Sequence, residues 1–526
     1  VDAGFAGQDR RFDLLEAMLS EKLGIPIEVI AREIAAILEQ TPAATEGELY
    51  ADLRRFKAKH DRLLARVAQI ETFDNRLMAI KSEAKEALDR YDHARAAALY
   101  GRARALIDQR TAELARQGAE FAQAEAVAWI LEKNWQAAAD VWADAASKLA
   151  PFDAKAAGEV GNFAGTMLLE FGAQYGGDAL DAAVTASRQA LEINRRDKLP
   201  VEWAGTQNNL GLALRAKGER QVEMALFGES VSAYRASLEV FTRDQMPEAW
   251  ATTQNNLGNM LARQGELLGG KEGMRLLDEA VVAYGGALEV QTGDAMLVQR
   301  AITQSNLGNV LVSRGEWLES KRGIELFTKA ISAYRASLQV YARNHMYLDW
   351  AMTQNNLGKT LLRLGERLDG SEGIGLLGEA VVACRAALTV LPRDRLPVHW
   401  GTTKHNLGTA LASQGERLGG PEGIRLLGEA ITAYRAALEV RSSKQMRIDC
   451  AMTHENIALA FESLAKLDTA QLCIYLRAAT MEFRAALDLF APKHMRFNFE
   501  KAQAGLTRVE AKFAEHCSED RGSRLQ

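Results

Sequence analysis

The hexapeptide Thr-Gln-Asn-Asn-Leu-Gly occurs intact at 206–211, 253–258 and 353–358. Altered copies stand at 303–308 (TQSNLG), 403–408 (TKHNLG) and 453–458 (THENIA), with a weaker one at 159–164 (EVGNFA). Taking the Leu position as a marker, Phe163, Leu210, Leu257, Leu307, Leu357, Leu407 and Ile457 are separated by 47, 47, 50, 50, 50 and 50 residues. Self-similarity at a fixed period of this size specifies stacked supersecondary units, each burying its apolar face only against its neighbours. No other feature of the chain narrows the possible folds so far.

One unit, Met246 to Met296, can be read for all. Pro247 suits the first turn of a helix A, where its missing N–H costs nothing. Trp250, Thr253, Leu257 and Leu261 then fall on one helical face. Gly258 allows a second helix to approach. Gly265 reads as a helix C-terminal residue with positive φ, and Gly269-Gly270 extends the turn. Helix B follows with Leu276, Leu277, Ala280, Tyr284, Ala287, Leu288 and Val290. Its small–large–small pattern, Ala280/Tyr284/Ala287, recurs as Ala330/Tyr334/Ser337, Ala380/Cys384/Ala387, Ala430/Tyr434/Ala437 and Ala479/Phe483/Ala486. Small residues admit the neighbouring helix while the aromatic fills the gap between them.

Leu-Gly in helix A, with Ala-x3-aromatic-x2-Ala in helix B, resembles the tetratricopeptide repeat, whose usual period is about 34 residues. The excess length divides between the A–B turn and the B–A turn. Trp203, Trp250, Trp350 and Trp400 lie seven positions before the marker, where the family's usual Trp lies nearer, so helix A begins earlier. Long units with Asn-Asn-Leu in helix A are similar to those of kinesin light chains and of bacterial multidomain signalling proteins. The resemblance covers residues 73–490. It implies an all-α, right-handed superhelical solenoid of antiparallel helix pairs with a concave groove.

The chain divides accordingly. Residues 1–72 carry helical patterns outside the repeat and read as a cap or linker, or as a dimerisation segment, broken at Thr41–Thr45. Residues 73–150 hold two units of ordinary length, marked by Ala96/Tyr100/Ala103 and Ala138/Trp142/Ala145. Seven long repeats fill 151–490. In 491–526, Met495-Arg496-Phe497 echoes Met446-Arg447-Ile448 and opens a capping helix, followed by the polar tail Ser518–Gln526. The first residue is Val1 rather than Met, so a piece of a longer protein is expected.

A net charge of −5 argues against a generic nucleic-acid binder, which carries a basic stripe. No apolar run of about 18 residues is present to span a membrane. Cys384, Cys450, Cys473 and Cys517 lack CxxC spacing and read as small apolar filler, consistent with a reducing cytoplasm. The eight histidines form no HExxH motif, and Gly265-x3-Gly269-Gly270 lacks the Gly-Lys-Ser/Thr ending of a phosphate loop. Cys450 and His454 share a helix face, but an orienting group and an oxyanion site are missing from the pattern. No metal, cofactor or catalytic set is expected.

The informative position is the Asn before each marker: Asn162, Asn209, Asn256, Asn306, Asn356, Asn406 and Asn456. Asn is a mediocre helix former, so something offsets its penalty in every long repeat. Two roles fit: a structural bond to the neighbouring repeat's backbone, or a ladder of amides facing the groove. In the tetratricopeptide family the resembling position often contacts ligand backbone. The stripe at −5, −1, +2 and +6 from the marker includes Asn256, Asn259 and Arg263, then Asn306 and Asn309, then Asn356, Lys359 and Arg363, then Asn406. With Asn209 and Asn456, these residues form the expected partner-binding surface, the cations adding a preference for acidic ligands. Arg188, Arg235, Arg335, Arg385, Arg435 and Arg484 read as a solvated flank of helix B, and the four Trp as inter-helix packing.

The function expected is a non-enzymatic scaffold for a protein or peptide, as the sensor or regulatory arm of a larger bacterial signalling or defence protein. The alternatives are a self-assembly module that oligomerises an effector domain, with 1–72 or the groove binding another copy, and an enzyme with a site between repeats.

Overall fold

The computed structural model describes residues 16–40, 46–70, 75–106, 112–318, 321–441, 446–490 and 495–517. Thr41–Thr45 and Ser518–Gln526 lie outside the described residues. Every element among the described residues is helical. The chain forms two compact units, Val1–Leu268 and Gly269–Gln526, divided at the turn inside the third long repeat.

In the first unit, helices Ile27–Gln40 and Glu46–Gln69 precede the pairs Asn75–Asp89/His93–Leu106, Ala112–Leu131/Trp135–Leu149, Ala154–Tyr175/Asp178–Ile193 and Pro200–Gln221/Met224–Leu238. Pro247–Leu268, helix A of the third long repeat, closes it. The Glu46–Gln69 helix packs on Ala112–Leu131. Its Lys59 ammonium stands 3.4 Å from the Phe171 ring centre, and its Arg66 guanidinium 4.9 Å from that of Phe163. On the same helix, His60 Nδ1 lies 3.0 Å from His93 Nε2, buried beneath the Tyr91 ring.

The second unit opens with helix B Gly270–Val290. It continues as Leu297–Glu316/Lys321–Arg343, Tyr347–Arg367/Gly370–Leu388, Pro397–Leu418/Gly420–Leu438 and Arg447–Leu467/Leu472–Leu489, and ends with Arg496–Cys517.

One contact repeats through both units. The helix B aromatics Tyr234, Tyr334 and Tyr434 are fully buried against the Gly of the Leu-Gly pair. A Cβ at Gly211, Gly308 or Gly408 would stand 2.6–2.7 Å from the facing ring. In the fifth long repeat Cys384 takes the aromatic's place against Gly358, and burial pushes its thiol up to about 12. The expectation for Gly265 is corrected. It lies inside helix A, and positive φ falls instead on Gly269 and Gly270. Its counterparts Gly218 and Gly315 show why glycine is needed, since a Cβ there would strike Phe227 or Phe327.

A second contact has no sequence signature. The residue sixteen before each marker from Leu210 onward is buried: Asn194, Phe241, Gln291, Tyr341, Leu391 and Arg441. Its chemistry changes from repeat to repeat while its place does not. Two of the polar ones, Asn194 and Arg441, reach the Thr that opens the next hexapeptide. Asn194 donates to Thr206 Oγ1 at 2.9 Å, and Arg441 to Thr453 Oγ1 at 2.8 Å.

The last helix covers the stack with Ala502, Leu506 and Val509. Gly505, where the repeat would carry Asn, makes room for the Phe483 ring. The buried Glu462 carboxylate accepts from Arg508 and Lys512, which hold its pKa below the usual value against the cost of burial. Cys473 and Cys517 form a disulfide with Cα atoms 5.7 Å apart, which overturns the reading of these two as filler. Cys384 and Cys450 are buried thiols. The disulfide also removes the cysteine argument for a reducing cytoplasm.

Candidate functional site: the helix A stripe

Helical geometry sets the marker Leu into the core and the Asn before it about 100° around the axis. That rotation leaves Asn209, Asn256, Asn306, Asn356, Asn406 and Asn456 half-buried, at the flank of the core face. Asn259 and Lys359 are also half-buried, and Arg263, Asn309 and Arg363 are exposed. The stripe is therefore an accessible surface of helices A, within each unit taken by itself.

Its amides bond chiefly to side chains of the preceding helix A, and seldom to backbone as the structural alternative supposed. In the first unit, Asn209 Nδ2 donates to Thr166 Oγ1 at 3.3 Å, and Asn256 Nδ2 to Asn208 Oδ1 at 3.1 Å. Thr253 Oγ1 donates to the same Asn208 oxygen at 3.4 Å. Asn162 makes a backbone contact, donating to Glu202 O at 3.5 Å. In the second unit, Asn356 donates to Asn309 Oδ1 at 3.0 Å and Asn406 to Asn355 Oδ1 at 2.9 Å. Asn456 Nδ2 meets His405 Nε2 at 3.4 Å. His405 stands where four other repeats carry Asn208, Asn255, Ser305 and Asn355. Burial, with Arg441 and Arg363 nearby, brings its pKa down to about 3 and keeps the ring neutral.

Both ends of the stripe hold residues that the hexapeptide did not signal. At the start of helices A, Leu348, Met352, Val398, Ile448 and Met452 are exposed. At the far end, nine after the marker, stands a row of exposed carboxylates: Glu219, Glu266, Glu316, Glu366 and Glu416. Lys359 lies 3.4 Å from Glu316, and Arg363 lies 3.3 Å from Glu366. These cations are already answered within the unit, so the expected preference for acidic ligands loses its basis there.

Residues 203–244 match the family model of the tetratricopeptide repeat. That segment holds helix A and helix B of the second long repeat, and the same Gly–aromatic contact recurs at Gly308 and Gly408. The chain carries a tetratricopeptide repeat. Among solved structures, BtubC (BKLC) from P. vanneervenii is similar at 18% identity over 50% of this chain and 94% of its own, with a TM-score of 0.31. The P58(IPK) TPR domain matches at 13% identity over 84% of this chain and 99% of its own, TM-score 0.24. Human IFIT1, solved as a dimer with m7Gppp-AAAA, matches at 12% identity over 87% and 95%, TM-score 0.33. No curated protein matches the chain.

The other singled-out residues of the tetratricopeptide repeats fall into place. Cys450 Sγ donates to Arg441 O at 3.3 Å, and burial raises its pKa. His454 Nδ1 bonds Glu482 Oε2 at 2.6 Å instead of facing the thiol. The two form no nucleophile–base pair. The helix B arginines are exposed as expected, yet they are paired across repeats: Arg188 with Glu229, Arg335 with Glu379, Arg385 with Glu429 and Arg484 with Glu510, at 2.5–2.7 Å. The four Trp are only half-buried. Trp350 and Trp400 pack around Ala351, Ala387 and Leu391, and Trp400 also meets Arg393 and Lys404. Among the described residues no group of three His, Cys, Asp or Glu could hold a metal ion, and no helix is long and apolar enough to cross a membrane.

Proposed function

We propose that the protein is a non-enzymatic scaffold that holds an extended peptide segment of a partner protein along the helix A stripe. Tetratricopeptide repeats suit protein–protein interaction, and the observation that carries the finer reading is the accessible ladder of amides. Each carboxamide offers two N–H groups and two lone pairs. The bonds that Asn256 and Asn406 make to the preceding helix use one N–H each, so the stripe keeps capacity toward a peptide backbone. The apolar residues at the helix starts supply contact area for alternate side chains of such a segment. In this reading the scaffold serves as the sensor or regulatory arm of a larger signalling or defence protein.

The test is affinity capture with mass spectrometry, comparing wild type with two variants. One is Asn256→Ala/Asn306→Ala/Asn356→Ala; the other is Leu348→Ser/Val398→Ser, which changes only exposed residues. The expected result is a protein retained by wild type, lost by both variants, with helicity unchanged by circular dichroism. Capture that survives both changes excludes the stripe. Recovery of this same chain as the sole retained protein supports the self-assembly alternative instead.

A further inference from the structure

The repeats act as controls for one another, and one junction in the first unit departs from the rest. Helices Trp135–Leu149 and Asp178–Ile193 pack side by side there, both touching Ala154–Tyr175. Counting from the first small residue of the helix B pattern, the positions one and eight further on hold Val, Ile or Thr and then Leu in every long repeat. The position five further on holds Arg in all of them but one, where Gly285 stands. In the Trp135–Leu149 helix all three are alanine: Ala139, Ala143 and Ala146. Across the junction, Ser187 replaces the aromatic, and Gln189 stands where later repeats carry Ala or Gly.

The lost volume remains as a cavity of about 210 Å³, lined by Ala139, Ala143, Ala146, Ala186, Gln189 and Ala190 among others. The Gln189 amide oxygen is buried and accepts no hydrogen bond among the described residues. A buried acceptor without a donor bears a desolvation penalty that an incoming N–H or O–H removes. An apolar cavity of about 150 Å³ is enough to hold benzene. We propose that this junction is a binding site for a small aromatic ring system carrying one hydrogen-bond donor, of the indole or phenol class. The alanines receive the ring, and Gln189 Oε1 accepts from its N–H or O–H. The same chemistry could arrive as a free small molecule or as a tryptophan side chain of a partner.

Isothermal titration of the full chain with indole, with indene and with N-acetyltryptophanamide tests this. Indene has the shape of indole without the N–H. Indole is expected to bind at least tenfold more tightly than indene. Ala146→Leu, which installs the residue found at this place in every long repeat, is expected to abolish binding while leaving the melting temperature equal or higher. Gln189→Ala is expected to bring indole down to the affinity of indene. Binding of N-acetyltryptophanamide supports the site with a partner side chain as its source; its exclusion while indole binds supports a free molecule. Absence of indole binding at millimolar concentration, or indole binding unchanged in Ala146→Leu, overturns the proposal.

Discussion

His405 shows how a residue's role follows from its place in the ladder. It occupies the position of Asn208 and Asn355, meets Asn456 and Thr453, and is held neutral with a pKa of about 3, against 6.5 for the free side chain. Between these values the unfolded chain binds a proton that the folded chain refuses. Stability from this group is therefore full above pH 6.5 and falls as pH drops toward 3, by about 2 kcal/mol at pH 5. His405→Asn restores the residue of other repeats and removes this dependence. Urea midpoints at pH 7.5 and 5.0 check it; an equal acid loss in wild type and variant would show that the imidazole is not responsible. The sequence located the Asn ladder because one residue type recurs at one place. It could not show what each amide bonds, because the partner lies about one whole period away. The buried residue sixteen before the marker stayed hidden for the opposite reason. Its place is constant, but Asn194, Phe241, Gln291 and Arg441 share no chemistry that a pattern can register.

At the scale of the helix pair, the Leu-Gly and Ala-x3-aromatic patterns stated the packing in advance. Both halves of one contact recur in the sequence: Gly408 has no Cβ because Tyr434 Cδ1 lies 2.7 Å from where it would be. Gly408→Ala is expected to destabilise by about 1–3 kcal/mol through overpacking. Gly428, on the exposed side of the facing helix B, has nothing within 4 Å, and Gly428→Ala is expected to stabilise by about 0.5–1 kcal/mol. Urea denaturation of the two variants checks the contrast, and shifts of the same sign would contradict it. The ends of helices were less legible. Gly265 reads as a terminator by composition, yet its counterparts show that glycine there serves close packing inside the helix. The helix B arginines were legible as exposed, but not as paired, since Glu229, Glu379 and Glu429 sit on the next helix B and Glu510 on the last helix. Such exposed pairs contribute about 0–1 kcal/mol each, so Arg385→Ala is expected to leave the urea midpoint nearly unchanged.

For the whole molecule, a stacked architecture follows from the period alone, and stability is expected to be a sum of local terms. Gly408→Ala should then lower hydrogen-exchange protection in its own and adjoining repeats of the second unit, and leave the Trp135–Leu149 helix unchanged. The disulfide between Cys473 and Cys517 was not legible, because nothing in sequence spacing brings two cysteines 44 residues apart onto facing helices. Their pairing depends on how the last helix docks, through Leu506, Val509 and the Glu462 ion pairs. The partner-binding reading rests on the stripe of helices A, and site-specific photocrosslinking tests it most directly. A benzoylphenylalanine would replace Thr409, half-buried on the stripe, or Thr432, exposed on helix B. The account predicts a covalent adduct with a partner protein from position 409 and none from position 432. Adducts from 432 alone, or equal adducts from both, would contradict it.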